Sequence, residues 1–149
     1  MKKFFVVLAV MLSSFCANAF DFDGINLNEP YAKVAQEIAK RGYSYNHQRN
    51  CLQGDCRGVD IFLSINYVDV TTPGMLGQLI IDIPISGNGT EMFKNITTIF
   101  NVLYHQIDGQ ADAVTYQVDV DGTELMISQK DEFITLIYNT PYYSRPKTK

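Results

Sequence analysis

Apolar residues in this chain change period from helical to strand-like, and then do so a second time. Tyr31, Val34, Ala35 and Ile38 fall on one helical stripe, with Lys33, Gln36, Glu37 and Lys40 opposite. Asn28 is the expected N-cap and Pro30 sits in the first turn, where its missing N–H costs nothing. Gly42 stands where a helix stop takes a left-handed residue. Tyr43, Tyr45 and His47 then alternate, followed by Ile61, Leu63, Ile65 and Tyr67 and by Leu79, Ile81, Ile83 and Ile85. Thr72-Pro73-Gly74 between the last two runs is a turn.

The second unit opens at Asn88, with Glu91 completing a capping box. Met92, Phe93, Ile96, Ile99, Phe100, Leu103 and Ile107 form a broad helical stripe, with Lys94, Thr98, Asn101 and His105 facing away. Asp108-Gly109 is its expected end. Val114, Tyr116, Val118 and Val120 alternate, Asp121-Gly122 is a tight hairpin turn, and Leu125 and Ile127 resume. Phe133 to Tyr138 is the last strand. The expected fold is therefore α+β: two helix-plus-three-strand units forming one antiparallel sheet, with both helices packed on one face. The units cover 20–86 and 87–140, a pseudo-repeat inside a single domain at 20–140, and 141–149 reads as a flexible tail.

Residues 1–19 read as a cleaved signal peptide: Lys2 and Lys3, a short apolar run from Phe4 to Phe15, then Ala17-Asn18-Ala19 before a cut at about Ala19/Phe20. The expected location is periplasmic or secreted. Loss of Lys2 and Lys3 takes the formal charge from −4 to −6. An acidic exterior without a basic run argues against nucleic acid and anionic membranes, and no later segment has the length of a membrane span.

Cys51 and Cys56 remain as an even pair, and in an oxidising compartment the default expectation is a disulfide between them. So short a loop would gain roughly 2 kcal/mol, enough to stiffen it locally. The Cys spacing suits neither a zinc arm nor a redox pair. Asp119-Val120-Asp121-Gly122 resembles the start of a calcium loop but lacks the closing Glu. There is no Gly-x-Ser-x-Gly elbow and no phosphate loop. No catalytic residue, metal ligand or cofactor is therefore expected. The candidate partner-binding residues are Gln53, Gly54 and Asp55 in the cysteine loop, and Phe62, Ile80 and Asp82 on the sheet face opposite the helices, with Ser64, Asn66, Thr115 and Gln117 beside them.

Two resemblances bear on function. The run Phe22-Asp23-Gly24-Ile25-Asn26-Leu27, followed by a helix closing at Arg41-Gly42-Tyr43, resembles the opening of small bacterial envelope proteins. The doubled helix-and-strands order is similar to the secreted β-lactamase-inhibitor-protein fold and related outer-membrane assembly modules. That resemblance implies a binding or inhibitory protein whose sheet face meets a partner. Cys51-Leu52-Gln53-Gly54-Asp55-Cys56 resembles the disulfide-closed loop of Ivy-type periplasmic lysozyme inhibitors, which implies a loop that plugs an enzyme site. Gly54 stands where that family carries a histidine. The expected function is a non-enzymatic binding protein of inhibitor or immunity type with a protein partner. The alternatives are an envelope component that self-associates, as a homodimer for instance, and, disfavoured, a hydrolase with a carboxylate acid/base pair.

Overall fold

A computed structural model of the chain describes residues 21–146. The expected leader and its cut site lie outside the described residues. Asp21–Phe22 (β1) and Ile25–Asn26 (β2) pair as a small hairpin, turning through Asp23 and Gly24, both at positive φ. Helix α1 spans Tyr31–Lys40 and is followed by β3 (Ser44–Asn46), β4 (Cys51–Cys56), β5 (Val59–Asn66) and β6 (Gln78–Pro84). Helix α2 spans Gly89–Leu103 and is followed by β7 (His105–Gly109), β8 (Ala113–Gln117), β9 (Glu124–Lys130) and β10 (Phe133–Asn139). Each unit thus has four strands, one more than the alternation predicts.

The eight strands form one antiparallel sheet in the order β3-β4-β5-β6-β10-β9-β8-β7. Each unit is a meander, and the two meet where their last strands pair, Leu136 opposite Ile81. Alternation then sorts the sheet residues. Ile61, Leu63, Leu79, Ile81, Ile83, Tyr116, Leu125, Ile127, Ile134, Leu136 and Tyr138 are buried in one cluster with Val34 and Ile38 of α1 and Met92, Phe93, Ile96 and Phe100 of α2. Burying a side chain of this size contributes about 1.5–3 kcal/mol. The Tyr116 hydroxyl is satisfied within that core, donating to Asn101 Oδ1 at 2.9 Å and lying 3.2 Å from the Thr97 carbonyl oxygen.

Four local expectations need correction. Asn28 is not the cap of α1: Pro30 holds that position without a side-chain bond, and the Tyr31 N–H donates instead to the Gly74 carbonyl at 3.0 Å. A neighbouring loop therefore supplies what a capping side chain would. Helix α2 stops at Leu103, so His105 and Ile107 belong to edge strand β7 and not to the helix. Cys51–Cys56 is a strand, paired with β3 on one side and β5 on the other. The start of the expected tail is tied down: Ser144 N–H donates to the Asp69 carbonyl, Tyr143 bridges Val70, and Arg145 pairs with Glu124.

Other signals match the structure. Asn88 Oδ1 accepts from the N–H groups of Thr90 and Glu91, capping α2 as expected. Gly42, Gly74 and Gly122 all adopt positive φ, at the helix stop and the two predicted turns.

Candidate functional site

Strand alternation and register set the second face of the sheet. One row across it runs Ser44, Gln53, Phe62, Asp82, Thr135, Ser128 and Ala113. The next runs Ser64, Ile80, Ile137, Met126, Thr115 and Asp108, an apolar centre with polar ends. A third is almost wholly polar: Asn66, Gln78, Asn139, Glu124, Gln117 and His105. Phe62, Ile80, Met126, Phe133 and Ile137 are all half-buried, in contrast to the fully buried residues between them.

Polar side chains on this face are held in place by one another. Thr135 Oγ1 donates to Asp82 Oδ1 at 2.6 Å, across strands β10 and β6. Asn66 Nδ2 donates to Gln78 Oε1 at 2.9 Å, and Gln78 Nε2 donates to Asn139 Oδ1 at 2.7 Å, a three-amide ladder. Asn46 Nδ2 donates to Gln53 Oε1 at 2.7 Å, while Asn46 Oδ1 accepts from the N–H groups of Gln48 and Arg49. Such bonds hold these side chains in one arrangement, so their conformational entropy is already lost in the folded chain.

At the end of the face that carries the β4–β5 and β9–β10 turns, Phe62 and Phe133 meet edge to face, with centroids 5.9 Å apart. The guanidinium of Arg49 lies 4.5 Å from the Phe62 ring centre and 5.3 Å from that of Phe133. A cleft of about 630 Å³ opens here, lined in part by Asp60, Pro84, Gln129, Asp131 and Glu132.

Of the residues predicted to contact a partner, Gln53, Phe62 and Asp82 stand side by side in one row, and Ile80 is in the next. Asp55 lies further along β4, where its Oδ1 accepts from the Gly58 N–H at 2.8 Å. Gly54 points the other way. A Cβ added there would stand 2.4 Å from Tyr43 Cδ1, so Gly54 makes room for a buried ring and presents no side to a partner. Arg49, Met126, Phe133, Thr135 and Ile137 are not among the predicted residues. Alternation alone would have placed the last four on this face once β10 was known to lie beside β6.

Both Cys51 and Cys56 are free thiols. Five residues of extended strand separate their Cα atoms by about 17 Å, and an odd separation sends their side chains to opposite faces. A disulfide needs Cα atoms within about 7 Å, so closing that bond would require β4 to leave the sheet. The stiff loop expected from the cysteine pair is here a sheet strand. Burial pushes the Cys51 thiol above its usual range, and Asp82 adds to the shift while Arg49 opposes it. Burial likewise raises Cys56, which packs against Tyr43.

Among the described residues no three His, Cys, Asp or Glu side chains are grouped so as to hold a metal ion. No helix among them is long and apolar enough to cross a membrane. No protein-family model matches the chain, and neither a curated protein nor a solved structure matches it.

Proposed function

We propose that this chain is a secreted or periplasmic, non-enzymatic binding protein that keeps both helices on the core side of its sheet and meets a protein partner with the other side. The observation that carries the reading is the second face itself. Ile80, Ile137 and Met126 form an apolar centre, flanked by the Asp82–Thr135 pair and the amide ladder. That arrangement, apolar in the middle with polar groups already ordered around it, is the anatomy of a recognition surface. Eight strands span about 34 Å, and seven-residue strands about 23 Å, which is on the scale of the roughly 800 Å² that each partner buries in a standard interface.

The test is capture from envelope and extracellular fractions by wild type and by the double variant Ile137→Thr/Met126→Thr. Threonine keeps strand propensity and removes two of the three apolar side chains at the centre. A stoichiometric partner held by wild type and lost by the variant, at matched melting temperature, is the expected result. A partner retained by the variant overturns the reading. Self-association is a second reading, favoured by edge strand β7, whose five residues are all exposed and include Ile107. Light scattering over a concentration series separates the two.

A further inference from the structure

The cleft at the end of the second face already contains a cation from its own chain. Arg49 comes from the exposed β3–β4 turn, where Asn46 Oδ1 fixes the backbone by accepting from the Gln48 and Arg49 N–H groups at 3.0 and 3.1 Å. Its guanidinium is within the roughly 6 Å range of cation–π attraction for two rings at once, Phe62 at 4.5 Å and Phe133 at 5.3 Å. The two rings come from strands that are not neighbours. Between them β6 contributes Asp82 and Pro84, which pair with Phe62 and Phe133 respectively.

Three exposed carboxylates, Asp60, Asp131 and Glu132, line the same cleft, and Arg49 is the one cation among its lining residues. Among the described residues Arg49 makes no ion pair, so its guanidinium rests on the rings and leaves those carboxylates to other cations. An aromatic floor with an acidic rim suits a flat, weakly hydrated cation on an apolar stem, the description of an arginine side chain.

From this geometry we propose that the cleft is a receptor for a guanidinium side chain on a basic segment of the partner protein, and that Arg49 is an internal occupant which the incoming arginine displaces. The proposal rests on the reading of the chain as a binding protein. It adds the chemistry of the partner and the point at which that partner is gripped.

The experiment is an NMR titration of the full chain, labelled at backbone nitrogen and phenylalanine ring carbons. The probes are a Gly-Arg-Gly-Arg-Gly peptide and the same peptide with citrulline, which keeps the shape and removes the charge. In Arg49→Ala the arginine peptide should shift the Phe62 and Phe133 ring signals, with affinity roughly tenfold above wild type because the competing cation is gone. Phe62→Leu in that background should abolish the shifts. Arg49→Gln serves the same purpose if Arg49→Ala does not fold. Equal binding of the citrulline peptide, no gain on removing Arg49, or shifts confined to residues outside the cleft would each overturn the proposal. Capture of a partner unchanged by Phe62→Leu would leave the binding function standing and remove this site from it. Peptide binding at the cleft without any partner captured through the sheet centre would do the reverse.

Discussion

Gly54→Ala should destabilise the fold, although alanine suits a strand better than glycine does. The added methyl would lie 2.4, 2.7 and 2.8 Å from three atoms of the Tyr43 ring. Tyr43 is only 5% exposed, so its ring has little room to retreat. Overpacking of this kind costs about 1–3 kcal/mol. Replacing glycine returns about 0.5–1 kcal/mol by restricting the unfolded chain. The net loss is therefore about 0–2.5 kcal/mol with a midpoint near 1.3 kcal/mol, which corresponds to roughly 4–6 °C in Tm for a domain of this size. Urea unfolding should show a lower midpoint with an unchanged slope, since the surface exposed on unfolding is the same. In a Tyr43→Leu background the penalty should shrink, because the ring atoms that collide are absent; a double-mutant cycle measures that coupling. A Gly54→Ala variant more stable than wild type, or an effect of the substitution unchanged in the Tyr43→Leu background, would refute the packing argument. A residue serving partner contact alone would instead lose binding with its stability intact.

Two further outcomes follow from the ionisable groups. Burial pushes the Tyr116 hydroxyl up to about 12, and burial with the nearby Asp119 carboxylate pushes Tyr104 up to about 12. The unfolded chain releases those protons near pH 10, so the folded state holds more protons above that point and stability should fall as pH rises from about 10 to 12. Tyr116→Phe should make that decline in Tm shallower, and an identical decline in the variant would contradict the assignment. Alkylation of protein prepared without reductant, followed by mass spectrometry, should find Cys51 and Cys56 both unlinked after unfolding. Labelling of the native protein should be slow near neutral pH and accelerate as pH rises, because burial keeps both thiols protonated. A Cys51–Cys56 crosslink would mean that β4 is not the strand described above.

Much of the architecture is legible in residue order because alternation survives wherever one face is buried. Ile61 and Leu63, then Leu79, Ile81 and Ile83, and Leu125 and Ile127 are core residues at the spacing that predicts strands. Alternation fails at edge strand β7 and at β4, which lies one strand in from the opposite edge. In β7 every residue is exposed, so no apolar period marks it, and Ile107 falls by chance on the helical stripe of Leu103. In β4 the turn-forming Gly54 and Asp55 lie between two cysteines and suggest a closed loop, whereas the glycine is there to admit Tyr43. The second face of the sheet is half legible for a topological reason. Phe62, Ile80 and Asp82 follow from the alternation of their own strands, but their neighbours Thr135 and Ile137 come from β10, more than fifty residues away. No local signal says that β10 pairs with β6.

That central pairing has a consequence for how the chain reaches its folded state. The first meander ends in β6, whose outer edge has no partner until Phe133–Asn139 has been made and has returned to it. The seam at the middle of the sheet is thus among its most non-local contacts, the kind that closes slowly. Until it closes, the apolar run Leu79-Ile80-Ile81 lies along an open strand edge. A β10 from another molecule fits that edge as well as the chain's own does. At high concentration, refolding should therefore yield exchanged dimers in which each first meander pairs with the second meander of its neighbour.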